Sequence, residues 1–189
     1  MAARMTGEQR RQQLLDATKE IVVADGFHAV SIEAVARRAG ITRPIVYGHF
    51  DDLGGLLEAL VEREMRRALE QLPETYDDLL GALTAYLSAV RGDPDTWRLV
   101  LMPHEGAPRL LHERIAAGRA AVIARLAQAL RPGGGLPDPE LSAHMLSAYA
   151  DEAARLVLRG YSIDRILELT RWALQRLGAP PSPRLGSGA

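Results

Sequence analysis

The sequence predicts an all-α protein of about nine helices: an N-terminal three-helix domain with a helix-turn-helix, followed by a larger C-terminal helical domain. Three observations carry this reading. Helix-start and helix-stop residues punctuate the 189 residues, with no strand-like alternation of useful length between them. Residues 31–50, SIEAVARRAGITRPIVYGHF, divide into two short helical stretches around Gly40. A hydrophobic content of 47% is ample for a buried core in a chain of this length.

The elements follow in order. A first helix from about Gly7 to Asp25 places Leu14, Leu15, Ala17, Ile21 and Val22 close to one face and stops at Gly26. Ser31 is an N-cap for the second helix, with Glu33 in its first turn and Val30 placed to staple onto Val35. Gly40 ends that helix in a turn that favours the left-handed conformation. Thr42 then caps the third helix, Ile41 staples onto Val46, and Pro44 falls in the tolerated first turn. A fourth helix is expected from Asp52 to about Leu72, with Leu56, Leu57, Leu60 and Val61 along its inner side. Helices near Glu74 to Arg91, Asp95 to Met102 and Pro108 to Leu130 follow, the second of them introduced by Asp93-Pro94. The segment RPGGGLPDPE breaks the chain. Asp138 and Pro139 then start a helix that reaches Arg159, and Ser162 starts the last one, which ends near Leu177. The expected division is 1–51, 52–178 and a disordered tail at 179–189.

Composition narrows the function classes. The chain has no cysteine, so disulfides, thiolate nucleophiles and cysteine-bound metals are excluded; no metal or cofactor is expected. No long apolar run spans a bilayer and the start, MAARMTGEQRRQQ, lacks a signal-peptide core, so a cytoplasmic protein without a membrane partner is expected. The net charge is −1, but residues 1–50 carry seven basic against five acidic residues, a local excess in the half that holds the helix-turn-helix. Only Lys19 among the 23 basic residues is lysine, the bias that GC-rich coding produces.

A helix-turn-helix works when its first helix and turn hold the second at a fixed angle, so that the second enters the major groove of DNA. Ala36 is small where the helices approach, Gly40 permits the turn, and Ile32, Val35, Ile41, Val46 and Phe50 form the apolar seam. On the outer side, Arg43 can take a guanine edge or grip a phosphate, and the sequence does not choose between them. Ser31 and Thr42 stand at helix N-termini, where hydroxyls and free amides bind phosphate oxygens. Tyr47 and His49 offer hydrogen-bonding groups to the backbone, and Pro44 can pack on a thymine methyl. Read structurally, Ser31 and Thr42 are only caps and Tyr47 only core.

The stretch ADGFHAVSIEAVARRAGITRPIVYGHFDDLGGLL, within residues 10–56, resembles the N-terminal domain of the TetR (tetracycline-repressor-like) family. Gly26-Phe27, Ser31, Ala39-Gly40-Ile41 and above all Tyr47-Gly48-His49-Phe50 carry the resemblance. It implies a homodimeric all-α repressor whose C-terminal domain binds a small molecule and releases a DNA operator. It also implies DNA contacts at Ser31, Thr42, Arg43, Pro44, Tyr47 and His49. Two departures stand out. Leu53 occupies the place where the family usually has a phosphate-reaching lysine, so Arg10 or Arg11 is expected to replace that anchor; one phosphate contact fewer flattens the salt dependence by about one unit of slope. Gly54-Gly55 lie in the first turns of the fourth helix, where each glycine costs about 0.5–1 kcal/mol relative to alanine, so the helix is either softened there or begins later.

In the C-terminal domain, Leu141, Met145, Tyr149 and Leu156, then Ile163, Ile166, Leu167, Thr170, Ala173 and Leu174, form a broad apolar stripe over the last two helices. In the resembled family such a pair makes the dimer with its symmetry mates, and a twofold protein demands a pseudo-palindromic operator; the same stripe serves equally as internal core. Tyr86, Trp97, Met102, His104, Tyr149 and Glu152 are the candidates for lining an effector pocket, although aromatics and methionines at helical spacing are commonly ordinary core. The effector is an unidentified small molecule that must favour the DNA-incompetent state to cause release. The expected protein is not an enzyme: His104 or His112 beside Glu105 or Glu113 comes with no nucleophile motif or phosphate-cradling loop. The alternative is a helical adaptor with weak or lost DNA binding.

Overall fold

The computed structural model describes residues 5–72, 78–102, 107, 109–130 and 138–177. Among them the chain forms α1 (Gly7–Asp25), a short 3-10 turn (Phe27–Ala29), α2 (Ile32–Arg38), α3 (Arg43–Tyr47), α4 (Leu53–Glu70), α5 (Leu79–Gly92), α6 (Pro94–Leu101), α7 (Arg109–Leu130), α8 (Pro139–Leu158) and α9 (Ile163–Leu177). Among these residues there is no strand. Residues 74–77, 131–137 and the tail 179–189 lie outside the described residues.

Local chemistry accounts for the boundaries. The α1 N-terminus is a full capping box: Thr6 Oγ1 accepts from the Gln9 amide, and Gln9 Oε1 accepts from the Thr6 amide. Gly26, Gly40 and Gly160 alone among the described residues have positive φ, at the ends of α1, α2 and α8. Asp52, Asp78, Asp93 and Asp138 each accept backbone amide hydrogen bonds at the starts of α4, α5, α6 and α8. The fourth helix does not begin late. It starts at Leu53 because Asp52 Oδ1 accepts from the Gly55 amide at 2.8 Å, and a Cβ on Gly54 would stand only 3.1 Å from that same oxygen. Gly54 therefore leaves room for the cap.

Two apolar clusters result. The first joins α1–α3 to α4 and reaches Leu99 of α6 and Leu111 of α7; the second is built from α4, α5, α6, α8 and α9. Helix α4 contributes Leu56, Leu60 and Val61 to the first and Ala68 to the second, so one rigid helix runs between them. Trp97, expected at an effector pocket, is instead a core residue: it is 3% exposed, meets Tyr86 edge-to-face at 5.1 Å and donates from Nε1 to Gln71 Oε1.

The stripe expected at a dimer seam divides. Ile163, Ile166, Leu167 and Thr170 are buried in the chain's own core, because α9 turns that side toward α5. Leu156 packs partly against the same cluster. Leu141, Met145, Tyr149 and Leu174 remain outside, Ala173 is half-buried, and Leu169 and Trp172 extend the exposed apolar face. Periodicity marked α9 as amphipathic without showing that both of its sides carry large apolar residues.

Candidate nucleic-acid interface

Helix α3 is seated by few residues and presents the rest. Val46 is fully buried and Phe50 nearly so, while Thr42, Arg43, Pro44, Ile45 and Tyr47 all face outward, Tyr47 at 54% exposure. Tyr47 is thus not core. The turn that sets the angle of α3 is closed by the Ile41 amide donating to the Ala36 carbonyl at 2.9 Å, with Gly40 at φ 67°. Helix α2 packs on both α1 and α3 through Ile32, Val35 and Ala36.

The two helix starts differ. Ser31 Oγ accepts from the Ala34 amide at 3.1 Å and is a true side-chain cap, still exposed at its outer edge. Thr42 takes the N-cap position but its hydroxyl makes no cap hydrogen bond. Pro44, the second helical residue, has no N–H to offer it, which removes one of the two usual donors. The Thr42 hydroxyl is left for an external partner.

Arg43 lies on the exposed face, its Nη1 3.8 Å from Glu33 Oε1 on α2. That exposed pair is worth little to stability. In the sequence Glu33 is only a helix-start acid; the contact needs the turn to bring the two helices together.

The predicted replacement anchors serve inside the domain as well. Arg11 lies over the Phe50 ring, 4.4 Å from its centroid, and donates from Nη1 to the His49 carbonyl at 3.2 Å. Arg10 donates to Gln13 Oε1. Arg11 therefore positions the half-buried His49 segment rather than standing free for phosphate. Gln13, unmarked in the sequence, donates to the Ala39 carbonyl at 3.2 Å, so α1 grips both the turn and the end of the helix-turn-helix. Leu53, in the place of the lysine that the resemblance implies, packs partly into the first core cluster.

Among the described effector candidates, Tyr86 and Trp97 meet while Met102, Tyr149 and Glu152 lie on exposed surface. Tyr86 touches Trp97 and donates to Asp151 Oδ1, which pairs with Arg119 at 2.6 Å. Burial, then the Asp151 charge and hydrogen bond, push the Tyr86 phenol well above its ordinary value. Tyr149 faces outward on α8 with its hydroxyl 2.6 Å from Thr170 Oγ1, and exposed Glu152 pairs with Arg155 and Arg159. Met102 is half-exposed at the end of α6, and His104 lies outside the described residues.

A polar joint supports the interface from behind. Lys19 Nζ of α1 donates to Glu64 Oε2 of α4 at 2.8 Å and to Thr96 Oγ1 of α6 at 2.6 Å, and lies 3.5 Å from Asp93. Thr96 donates to Glu64 Oε2 at 2.6 Å, and Arg63 reaches Glu64, Asp16 and the Gln12 side chain. Glu64 and Thr96 are almost wholly buried. Burial raises the Glu64 carboxyl, but the hydrogen bonds from Lys19 and Thr96 and the charges of Lys19 and Arg63 outweigh it and hold the carboxyl below its ordinary value. Asp93 is likewise lowered: Thr96, Lys19, Arg67 and Gln71 overcome its burial.

Fold and interface together describe an all-helical chain with a helix-turn-helix near the N-terminus and further helices packed behind it. Residues 14–60 match the family described as bacterial regulatory proteins, tetR family. It is 31% identical over 104 residues to the HTH-type transcriptional activator FasR of Mycolicibacterium smegmatis, covering 51% of this chain and 48% of that protein. It is 42% identical over 82 residues to the HTH-type transcriptional regulator BetI of Serratia proteamaculans, covering 43% and 39%. The chain thus spans about half or less of the curated relatives it matches. A crystal structure of a TetR-like transcriptional regulator from Rhodococcus sp. RHA1 superposes with a TM-score of 0.76 at 25% identity, over 94% of this chain and 100% of that one.

Proposed function

We propose that the protein is a ligand-responsive transcriptional regulator, a repressor, that binds a pseudo-palindromic operator as a homodimer and is released by a small-molecule effector. Residues 1–51 read the DNA and residues 52–178 bind the effector and dimerise. The observation that carries this is the outward face of α3, where Thr42, Arg43, Pro44 and Tyr47 stand exposed over a buried Val46. Ser31 and Thr42 take phosphates, Arg43 reads a base edge, and Tyr47 and His49 contact the backbone. Arg10 adds charge at the rim, and Arg11 acts through His49.

The exposed apolar face of α8 and α9 supports the homodimer. Met145 is 67% exposed, Leu169 61% and Trp172 57%, large apolar groups that a second copy would cover. Among the described residues no three His, Asp or Glu side chains gather as a metal site, and His112 lies exposed on α7. No helix among them is long and apolar enough to cross a membrane.

Selection of duplexes from random pools by the full chain tests the reading. Enrichment of an inverted repeat supports it; enrichment of nothing over the input pool at low salt favours the adaptor alternative. Screening metabolites for release of the enriched duplex then identifies the effector.

A further inference from the structure

Helix α4 is the covalent route from the rear of the molecule to the reading helices, but a second, non-covalent route is built into the fold. Lys19 connects α1 directly to α6 through Thr96, 77 residues away in sequence, in addition to its contact with Glu64 of α4. On the α1 side of that contact, Gln13 holds the Ala39 carbonyl in the turn and Arg11 holds the His49 carbonyl after α3. On the α6 side, the neighbouring Trp97 packs on Tyr86 of α5, and Gln71 bonds both the Trp97 indole and Asp93. Tyr86 in turn bonds Asp151 of α8, which is paired with Arg119 of α7. A continuous chain of directed contacts therefore runs from α7 and α8 to the helix-turn-helix.

The chemistry at its centre is demanding. Thr96 has one hydroxyl that accepts from Lys19 and donates to Glu64, with Asp93 Oδ2 a further 2.9 Å away. All three partners sit on different elements or at the α6 start, so a shift of α6 along its axis leaves the Lys19 ammonium and the Glu64 carboxylate short of a partner. Buried polar groups tolerate that poorly, so such a joint has few intermediate positions.

We propose that the Lys19–Thr96–Glu64 joint couples the C-terminal half to the DNA-reading helices, with Thr96 the positioning residue that makes α1 follow α6. The proposal rests on the DNA-reading function proposed above. Coupling is reciprocal, so binding of DNA at α3 must tighten α6 as much as a movement of α6 loosens α3.

Amide hydrogen exchange of the full chain, with and without a duplex enriched from random pools, tests it. In the wild type, amides within 94–101 slow by about fivefold or more on adding the duplex, the lower end of ordinary coupling. Thr96→Val keeps the side-chain shape and the Lys19–Glu64 pair but removes the hydroxyl. It should keep the duplex-dependent protection of residues 31–50 and lose the slowing at 94–101, and Thr96→Ser should restore it. Equal slowing at 94–101 in Thr96→Val, or a wild type protected only at 31–50, overturns the proposal. Should Thr96→Val prove unfolded, Lys19→Gln, which leaves Glu64 paired with Arg63, is read by the same two outcomes. Absence of duplex-dependent protection at 31–50 in the wild type is a distinct result: it removes the DNA-reading function, and the coupling with it.

Discussion

The helix-turn-helix and the α8–α9 face expose opposite kinds of surface on the same polypeptide. Around α2 and α3 most apolar side chains are spent inward: Ile32, Val35, Ala36, Val46 and Phe50 are buried, and Pro44 and Ile45 face out beside the hydroxyl, guanidinium and phenol groups of Thr42, Arg43 and Tyr47. Along α8 and α9 a core is also buried, yet Met145, Leu169, Trp172 and Leu141 still point to solvent. The first surface suits a charged, hydrated polymer and the second suits another protein. The difference separates the two recognition tasks by position, with α4 and the Lys19 joint between them.

The largest effect expected is on the core that both regions share. Leu60 is fully buried in the first cluster, and Leu60→Ala should cost about 2–5 kcal/mol. If the two regions fold as one unit, calorimetry shows a single transition moved down; loss of the α1–α3 signal alone would show that they melt separately.

Next in size is the rear face. Trp172→Ala should weaken self-association by about 2–4 kcal/mol, which is thirtyfold or more in the dimer dissociation constant. Sedimentation equilibrium should show it with the melting temperature of the monomer unchanged. An unaltered mass distribution would remove Trp172 from the interface.

A smaller loss is expected at the front. Ser31→Ala removes the cap on the Ala34 amide and should cost about 1 kcal/mol, read in denaturant unfolding. Thr42→Ala, lacking any cap bond to lose, should leave stability within about 0.5 kcal/mol while lowering DNA affinity. Equal destabilisation by both would mean that Thr42 is simply a second cap.

The mildest probe is pH. Glu64 and Asp93 have lowered carboxyls in the folded protein, so the unfolded chain binds their protons first. Their stabilisation is complete above the ordinary values of 4.5 and 3.8 and is lost as pH falls through the lower folded values. Acid titration of melting temperature should therefore be shallower in Glu64→Gln than in the wild type. An identical slope would mean that Glu64 is not held ionised by Lys19 and Thr96.

Most boundaries of these elements were legible because they are local; the start of α5 was not, since Asp78 caps the helix at Leu79 and not at the expected Glu74. Thr6, Ser31, Asp52, Asp93 and Asp138 act on amides two or three residues ahead, and Gly26, Gly40 and Gly160 act on their own dihedral angles. The exposed face of α3 was legible for the same reason, since Val46 and Phe50 fix which way Arg43 and Tyr47 point. What was not legible depends on distant partners. Lys19 has no partner visible in the sequence, because Glu64 and Thr96 arrive from 45 and 77 residues away. Arg11 reads as a free cation until Phe50 comes beneath it. On α9, Ile166 and Trp172 are equally apolar, and only the packing of α5 decides which is core.

Arg43 offers the most direct measurement of the whole account. Titrating wild type and Arg43→Ala against an enriched duplex and a scrambled one, with melting temperatures in parallel, separates reading from folding. Arg43 is exposed and buries nothing. The account predicts an unchanged melting temperature and a loss of about 1–3 kcal/mol of discrimination per half-site, bringing the enriched duplex toward the scrambled one. Discrimination that persists in Arg43→Ala, with or without a fall in melting temperature, would contradict it.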